Sequence, residues 1–410
     1  MSGVRQYAIV TGAYWSFTLT DGALRLIVLL YFHQLGYSPL QLATLFLLYE
    51  FFGIVTNLFG GWLAARTGMR LTLVAGLGLQ AAALVLLAGL QEEWAVGISV
   101  AYVMACQALS GIAKDVTKIS AKSAIKALVP GEGRLFTWVA LLTGSKNALK
   151  GLGFFVGAAL LAGAGFRGSL LIMAGLVTAV LVGVLASLPG GIGRAKTRVP
   201  LSGIFSKTPA INRLSAARLF LFAARDVWFV VSVPIFLASA LGWSFMQVGG
   251  FLAQWVIGYG AVQAAAPRIL AGLTETPERG TALALAGILA LVTAAIPLGL
   301  RAWPPAPVML IGLGLFGVIF ALNSSVHSYL ILAYSDADKV ALNVGFYYMA
   351  NAGGRLIGTV LSGLTYQYGG AAMALWTSAG LALATALITI TLPPLGDHVR
   401  VPLAAADGPD

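Results

Sequence analysis

Long runs of apolar residues, separated by short polar joints, dominate the chain. Twelve of them are long enough for an α-helix to cross a bilayer, which takes about 20 residues. They cover residues 7–33, 39–65, 70–90, 95–127, 134–162, 168–188, 210–240, 245–270, 280–300, 306–333, 338–367 and 370–392. The joints carry turn-forming residues, as in Gly36–Pro39 and Pro304–Pro305. The pattern predicts an all-α membrane protein with twelve transmembrane helices.

The composition agrees with this prediction. The 410 residues are 59% hydrophobic and only 10% charged, whereas a soluble domain carries about 25% charged residues. A soluble enzyme is therefore excluded. The net charge of +11 could suggest a nucleic-acid partner, but most of the basic residues lie between the apolar runs, where they act as topology signals. We expect the lipid bilayer as a partner and no nucleic acid.

The basic residues are strongly biased toward one side of the predicted membrane. Fifteen lysines and arginines fall on that side: Arg5, those of the 66–70, 122–134 and 194–213 segments, Arg268, Arg279, Lys339 and Arg400. The opposite loops hold only Arg167 and Arg301. Since lysine and arginine favour the cytoplasmic side, we expect both termini in the cytoplasm, and the bacterial inner membrane as the location.

The chain repeats itself once. Leu35-Gly36-Tyr37-Ser38 recurs as Leu241-Gly242-Trp243-Ser244, with Gln41 matched by Gln247. We predict an N-terminal six-helix half at 1–189, a basic cytoplasmic linker at 190–209, a C-terminal six-helix half at 210–395 and a disordered tail at 396–410. Two similar halves in this order are typical of a secondary transporter.

Several motifs resemble those of the major facilitator superfamily. Gly61-Trp62-Leu63-Ala64-Ala65-Arg66-Thr67-Gly68-Met69-Arg70 is similar to its signature loop between helices 2 and 3, with Ala65 where an acidic residue is usual. Gln107-Ala-Leu-Ser-Gly111 is similar to its helix 4 motif, and Gly144, Gly151, Gly153 and Gly157 resemble the glycine-rich helix 5 of its antiporters. The resemblance implies a bundle of two pseudo-symmetric six-helix halves.

A narrower resemblance is to the ArsJ-type organoarsenical efflux permeases of that superfamily. It is carried by five stretches: Thr20–Arg25, Leu109–Asp115, Ser120–Lys126, Leu141–Lys150 and Ala223–Phe229. The resemblance implies export of 1-arseno-3-phosphoglycerate and thereby arsenate resistance. It also implies a functional partner, the glyceraldehyde-3-phosphate dehydrogenase that makes this compound when arsenate replaces phosphate.

Charged residues inside the spans predict an anionic ligand independently of the family resemblance. Charges at membrane depth are costly and normally face the bundle interior or a water-filled cavity. Eight basic residues lie there, Arg25, Lys114, Lys118, Lys146, Lys150, Arg218, Arg225 and Arg355, against four acidic ones, Asp21, Glu50, Asp115 and Asp226. A cavity with this excess of positive charge repels itself, and a polyanionic substrate would neutralise it.

Helical spacing brings these residues onto shared faces. Lys114 and Lys118 are four residues apart, as are Lys146 and Lys150. Asn323 with His327, and Tyr347 with Asn351 and Arg355, repeat the same spacing. We predict as substrate ligands Arg25, Lys114, Lys118, Lys146, Lys150, Arg225, Arg355, Asn323, His327, Tyr347 and Asn351.

Some of these residues have a second interpretation. Asp21, Glu50 and Asp226 are candidates for proton coupling, or they simply balance the basic residues. Arg218 either lines the cavity or extends to the cytoplasmic edge. His327 is either a ligand or a packing residue. Lys114 with Asp115, and Arg225 with Asp226, are neighbours that point about 100° apart on a helix, so we do not expect direct pairing.

Catalytic and metal-binding patterns are missing from the sequence. His33, His327 and His398 are far apart, and no ATPase phosphate loop is present. The single cysteine, Cys106, cannot supply a three-thiolate arsenite site within one molecule. We therefore expect a monomeric transporter with no cofactor, no metal and no enzymatic activity. An exchanger or proton-coupled carrier of ordinary phosphorylated metabolites, or a membrane sensor that does not transport, remains the alternative.

Overall fold

The structure is a computed structural model that describes residues 3–67, 69–128, 132–189, 208–272, 278–335 and 340–394. For residues 3, 4, 60–67, 69, 122–128, 132–144 and 340–342 it describes the backbone alone. Within these ranges the chain forms helices and no strand. The predicted all-α class is confirmed.

The helices follow the apolar runs closely. They are α1 (Gly3–Gln34), α2 (Pro39–Thr44), α3 (Leu47–Thr67), α4 (Met69–Ala88), α5 (Val96–Leu128), α6 (Glu132–Ser187), α7 (Pro209–Phe229), α8 (Ser232–Ile235), a π-helical turn (Phe236–Ala240), α9 (Phe245–Ala271), α10 (Arg279–Gly299), α11 (Pro305–Ala333) and α12 (Val340–Ile390). Apolar side chains at nearly every position explain this agreement, because only a helix satisfies its backbone polar groups within a bilayer.

Two helices are twice the length of a span and break in the middle. Gly165 has a φ of 67° inside α6, and Gly370 has a φ of 62° inside α12. This left-handed conformation ends a helix and favours glycine, which has no Cβ to clash. Each long helix therefore consists of two arms that meet at a glycine.

The helices are long and apolar enough to cross a membrane many times. Within the described residues nine helical segments meet that condition, including Ser145–Ser187 and Asn343–Ile390. These two contain the glycine breaks, and each is long enough for two spans. The 27-residue α9 is long enough for a further span but is less apolar. A multi-pass membrane protein is confirmed, and the count of twelve stays a prediction.

The chain divides into two compact units. Unit 1 contains residues 1–201 and 242–257, and unit 2 contains residues 202–241 and 258–410. In unit 1 the most extensive contacts join α1 to α6 and α4 to α5, and in unit 2 they join α7 and α10 to α12. The predicted halves 1–189 and 210–395 stay a prediction. Residues 190–207 of the linker and the tail 396–410 lie outside the described residues.

The predicted repeat is visible in local structure. Ser38 and Gln41 form a reciprocal cap: the Ser38 backbone N–H donates to Gln41 Oε1 at 2.8 Å, and the Gln41 N–H donates to Ser38 Oγ at 3.3 Å. Ser244 and Gln247 form the same two bonds at the same distances. This capping box satisfies helix-start donors that would otherwise be unpaired.

A second feature is repeated in both units: an arginine near the start of one helix donates to a backbone carbonyl near the end of another helix. Arg70, near the start of α4, donates to the Leu185 carbonyl near the end of α6 at 3.0 Å. Arg279, at the start of α10, donates to the Leu392 carbonyl just after α12 at 2.9 Å. A cation at a helix C-terminus satisfies free carbonyls and complements the helix dipole. Both units thus use an arginine for the same purpose.

Glycines allow the closest helix contacts in each unit. A Cβ on Gly22 of α1 would lie 2.6 Å from the Lys150 carbonyl oxygen of α6. In unit 2, a Cβ on Gly358 of α12 would lie 2.7 Å from Asp226 Cβ, and one on Gly354 would overlap the Leu219 carbonyl oxygen. Small residues at such contacts let helix backbones approach closely in membranes. They also bring charged side chains on neighbouring helices together.

This packing generates a prediction at two adjacent glycines. Gly354→Ala should destabilise the protein by about 2 kcal/mol, because the added methyl group meets backbone that cannot move aside. Gly353→Ala is the matched control, since its Cβ would meet only the flexible Leu219 Cδ1 at 3.6 Å. Thermal unfolding of the purified variants checks the difference. Equal unfolding temperatures for the two variants would contradict the proposed contact.

Candidate functional site

Tyr49 connects two charged residues in unit 1. Its hydroxyl donates to Asp21 Oδ1 at 2.5 Å, and the Lys114 Nζ lies 3.9 Å from the centroid of its ring. Gly111 makes this geometry possible, because a Cβ there would lie 2.6 Å from the Tyr49 carbonyl oxygen. An ammonium group over an aromatic face is stabilised without being neutralised. Tyr49 therefore holds a carboxylate and a cation in one place.

Asp115 is the centre of a second group of polar contacts in unit 1. Lys118 Nζ lies 2.5 Å from its Oδ1, Lys114 Nζ lies 3.9 Å from its Oδ2, and the Thr56 hydroxyl donates to Oδ2 at 3.0 Å. Lys118 also donates to Asn57 Oδ1 at 2.8 Å. The carboxylate is buried, so its contacts are weakly screened. The Asp115 carboxylate thus forms ion pairs with two lysines.

Arg25 and Glu50 form a buried ion pair on α1 and α3. The distance between Arg25 Nη2 and Glu50 Oε1 is 2.8 Å, and the Glu50 side chain is only 1% exposed. The guanidinium group also lies 5.4 Å from the Phe46 ring centroid. Glu50 therefore balances Arg25 in this structure, as one of the two interpretations of the sequence expected.

Lys146 and Lys150 lie on α6 and are partly buried. Gly22 places the Lys150 backbone directly against α1, next to Asp21. A hydrogen bond also joins α6 to α1 close to Lys146: Trp15 Nε1 of α1 donates to the Ser145 hydroxyl of α6 at 2.9 Å. The two lysines thus lie on the helix that packs most extensively against α1. The side chains of Lys122 and Lys126 lie outside the described residues.

In unit 2 one carboxylate forms ion pairs with two arginines. Arg225 Nη2 lies 2.5 Å from Asp226 Oδ1, and Arg355 Nε lies 3.4 Å from Asp226 Oδ2. The expectation that Arg225 and Asp226 do not pair is wrong. Although their Cβ atoms point apart, the long arginine side chain bends back far enough for its guanidinium group to reach the neighbouring carboxylate. The same expectation for Lys114 and Asp115 fails at the longer distance of 3.9 Å.

Arg218 is buried in unit 2 instead of extending to the membrane edge. It is 4% exposed, and it donates to the Ser324 carbonyl at 3.1 Å, to Ser324 Oγ at 2.9 Å and to Asn351 Oδ1 at 3.2 Å. Arg218 and Arg225 lie 4.1 Å and 4.8 Å from the centroid of the same Phe222 ring. The two arginines are seven residues apart, a spacing that places them on one face of a helix.

Three of the predicted substrate ligands are almost completely buried. Asn323 and His327 are 0% exposed and Tyr347 is 1% exposed. Both amide atoms of Asn323 and both ring nitrogens of His327 lack a hydrogen-bond partner among the described residues. Asn351, one turn beyond Tyr347 on α12, is reached by Arg218 as described above. The role of all four residues as substrate ligands stays a prediction.

The charged residues therefore form two clusters, each with an excess of positive charge. The unit 1 cluster has five cations, Arg25, Lys114, Lys118, Lys146 and Lys150, and three acids, Asp21, Glu50 and Asp115. The unit 2 cluster has three cations, Arg218, Arg225 and Arg355, and one acid, Asp226. Each cluster carries two positive charges more than negative ones. Sequence reasoning missed Tyr49 and Ser324, since an aromatic residue or a serine in an apolar run has no distinctive signal.

Metal binding has no support in the described ranges, where no group of three histidine, cysteine or acidic residues is close enough to hold an ion. Cys106 is buried and unpaired with any other cysteine.

Comparisons with known proteins identify the architecture. The family model described as "Major Facilitator Superfamily" matches residues 10–296. A crystal structure of a POT family transporter in complex with a thioalcohol-conjugated peptide matches with a TM-score of 0.76 over 94% of this chain and 95% of that chain. The identity is 14%, so this likeness shows the fold alone. No curated protein matched the sequence.

The geometry around Asp115 generates a prediction for stability. Asp115→Asn should destabilise the protein by about 3 kcal/mol, because it leaves Lys118 and Lys114 without a buried counter-charge. Replacing Lys118 with methionine in the same chain should recover most of that loss. Thermal unfolding of the two variants and the wild type measures both effects. A single variant as stable as the wild type would show that Asp115 does not balance the lysines.

Proposed function

The chain belongs to the major facilitator superfamily and is a multi-pass secondary transporter, and we propose that its substrate is an organic anion carrying phosphate or arsenate groups. The observation that carries this proposal is the positive excess in each cluster. Other features of the chain only narrow the choice of anion.

The excess has a physical consequence. Moving an ionised group from water into a protein interior costs several kcal/mol unless a partner of opposite charge compensates. In unit 2, Asp226 provides one negative charge for the two positive charges of Arg225 and Arg355. An anionic substrate supplies the missing charge. A neutral or cationic substrate would leave the repulsion in place.

The types of cation favour phosphate and arsenate. Both are tetrahedral oxyanions, and the guanidinium group of arginine binds two of their oxygens at once, whereas lysine acts as a point charge. Arg225 and Arg355 are 16% and 15% exposed, and Lys114 and Lys118 are 17% and 19% exposed. These side chains are therefore only partly covered by the rest of the protein. We assign anion recognition to them, together with Arg25, Lys146 and Lys150.

We propose that Asp226 competes with the substrate for Arg225 and Arg355. An oxyanion that binds Arg225 and Arg355 replaces the carboxylate as their partner, and the displaced carboxylate then takes up a proton. This exchange would couple substrate movement to proton movement, with Asp21 and Glu50 as further candidates. Asp21 differs from the other two, since its hydrogen-bond partner is the neutral Tyr49 hydroxyl.

The resemblance of the lysine-bearing stretches to organoarsenical efflux permeases narrows the anion to 1-arseno-3-phosphoglycerate. Glyceraldehyde-3-phosphate dehydrogenase would supply it, and export by alternating access from the cytoplasm would confer arsenate resistance. The lone buried Cys106 is compatible with this choice, because a pentavalent arsenic ester needs no thiolate ligands. We place the protein in the bacterial inner membrane with both termini in the cytoplasm.

The same charge excess supports a second candidate, an exchanger of ordinary phosphorylated metabolites. Inverted membrane vesicles separate the two. The dehydrogenase, its aldehyde substrate, NAD and radiolabelled arsenate are supplied outside vesicles with and without the protein. We expect arsenic to accumulate only when both the dehydrogenase and the transporter are present. Accumulation without the dehydrogenase would indicate a simple oxyanion carrier. Binding without any accumulation would indicate a sensor.

Charge-neutralising variants test the clusters in the same vesicles. Lys114→Gln, Lys146→Gln and Arg225→Gln should each reduce the accumulation at least tenfold, since each removes an anion ligand. The matched controls are Arg167→Gln and Arg301→Gln, which neutralise exposed arginines and should transport like the wild type. Wild-type transport by all three cluster variants would refute the proposed ligands.

A further inference from the structure

One face of α7 packs against one face of α11 with a regular register. The rings of Trp228 and Phe316 are 5.1 Å apart between centroids, and those of Phe222 and Phe320 are 5.2 Å apart. Arg218 continues the series through its bonds to Ser324. Residue numbers fall along α7 as they rise along α11, so the two helices are antiparallel.

Beyond the contact between Arg218 and Ser324, the facing side chains of α7 and α11 are polar. On α7, Ser215 lies on the same stripe as Arg218 and Phe222, three and seven residues away. On α11, Asn323 and His327 continue the stripe of Phe316 and Phe320. Arg218 is close enough to His327 for the guanidinium charge to act on the imidazole ring. The register therefore places Ser215, Asn323 and His327 close to the level of Arg218 along the two helices.

These three side chains have no hydrogen-bond partner among the described residues. The unpaired atoms are Ser215 Oγ, Asn323 Nδ2 and Oδ1, and His327 Nδ1 and Nε2. Ser215 is 2% exposed, and Asn323 and His327 are 0% exposed, so bulk solvent does not reach them. A buried polar group left without a partner costs about 1–3 kcal/mol. Five such atoms lie close to one level of the interface, and no described residue satisfies them.

The local charge indicates what kind of partner this is. Arg218 bonds to the neutral acceptors Ser324 and Asn351, while Asp226 is bound by Arg225 and Arg355. A guanidinium group buried without a counter-charge is strongly unfavourable. Ser215 Oγ, Asn323 Nδ2 and one imidazole nitrogen can each donate one hydrogen bond. Donors around a buried cation form a receptor for an anion.

We propose that Arg218, Ser215, Asn323 and His327 form a site for a small inorganic anion of the size of chloride, which is the resident counter-ion of Arg218. The near-complete burial of the four side chains sets the size of the ligand, and it separates this site from the partly exposed Arg225 and Arg355. The site reassigns Asn323 and His327 from the transported substrate to a second, smaller ligand. It does not depend on which substrate the protein exports.

The test uses the purified full-length protein in lipid nanodiscs without any transport substrate. Chloride replaces gluconate at constant ionic strength, and thermal unfolding is followed. Ligand binding to the folded state raises its stability with concentration, so we expect the unfolding temperature to rise by several degrees and to saturate. Equilibrium binding of radiolabelled chloride should saturate at a single ion per chain and be displaced by bromide.

Variants locate the effect. Asn323→Leu should abolish the chloride-dependent rise, and His327→Leu provides the same test if the first variant does not fold. Thr293→Val is the matched control, because Thr293 is equally buried in unit 2 but its hydroxyl already donates to the Leu289 carbonyl. Arg225→Gln should also keep the rise. An unchanged response in both site variants, or no saturable chloride binding by the wild type, would overturn the proposal.

Discussion

The cost of holding charge inside a membrane is the constraint on which the rest of the structure depends. Eight cations lie inside the predicted spans, away from their ends, against four acids, and each of these acids contacts a polar or charged side chain. Asp115 pairs with two lysines, Asp226 pairs with two arginines, and Glu50 pairs with Arg25. The acids reduce the repulsion but do not cancel it. We propose that an anionic substrate binds to the residual positive charge.

The glycines and the ion pairs belong to the same arrangement. Gly358 brings α12 against Asp226, and the next turn of α12 carries Arg355. Gly111 brings α5 against Tyr49, and the next turn of α5 carries Lys114. Close backbone contact is therefore the means by which short carboxylates reach cations on a neighbouring helix. A larger residue at either glycine would separate charges as well as helices.

The sequence was sufficient for the helices and for the repeat, and insufficient for the pairing of the charges. Runs of about 20 apolar residues have one stable conformation in a bilayer, and Ser38-x-x-Gln41 is a local motif that forms its own bonds. By contrast, Arg225 reaches Asp226 through a side-chain conformation that Cβ directions do not reveal. The burial of Arg218 depends on Ser324, which is 106 residues away in the chain. Long-range contacts of this kind leave no periodic signal.

The central claim is that the protein recognises negative charge. The most direct test is equilibrium binding of 3-phosphoglycerate and of glycerol to the purified protein in nanodiscs, because the two ligands share a carbon skeleton and differ in charge. We expect saturable binding of 3-phosphoglycerate that weakens as ionic strength rises, and no binding of glycerol. Equal affinity for the two ligands, or binding of 3-phosphoglycerate that salt leaves unchanged, would contradict the account.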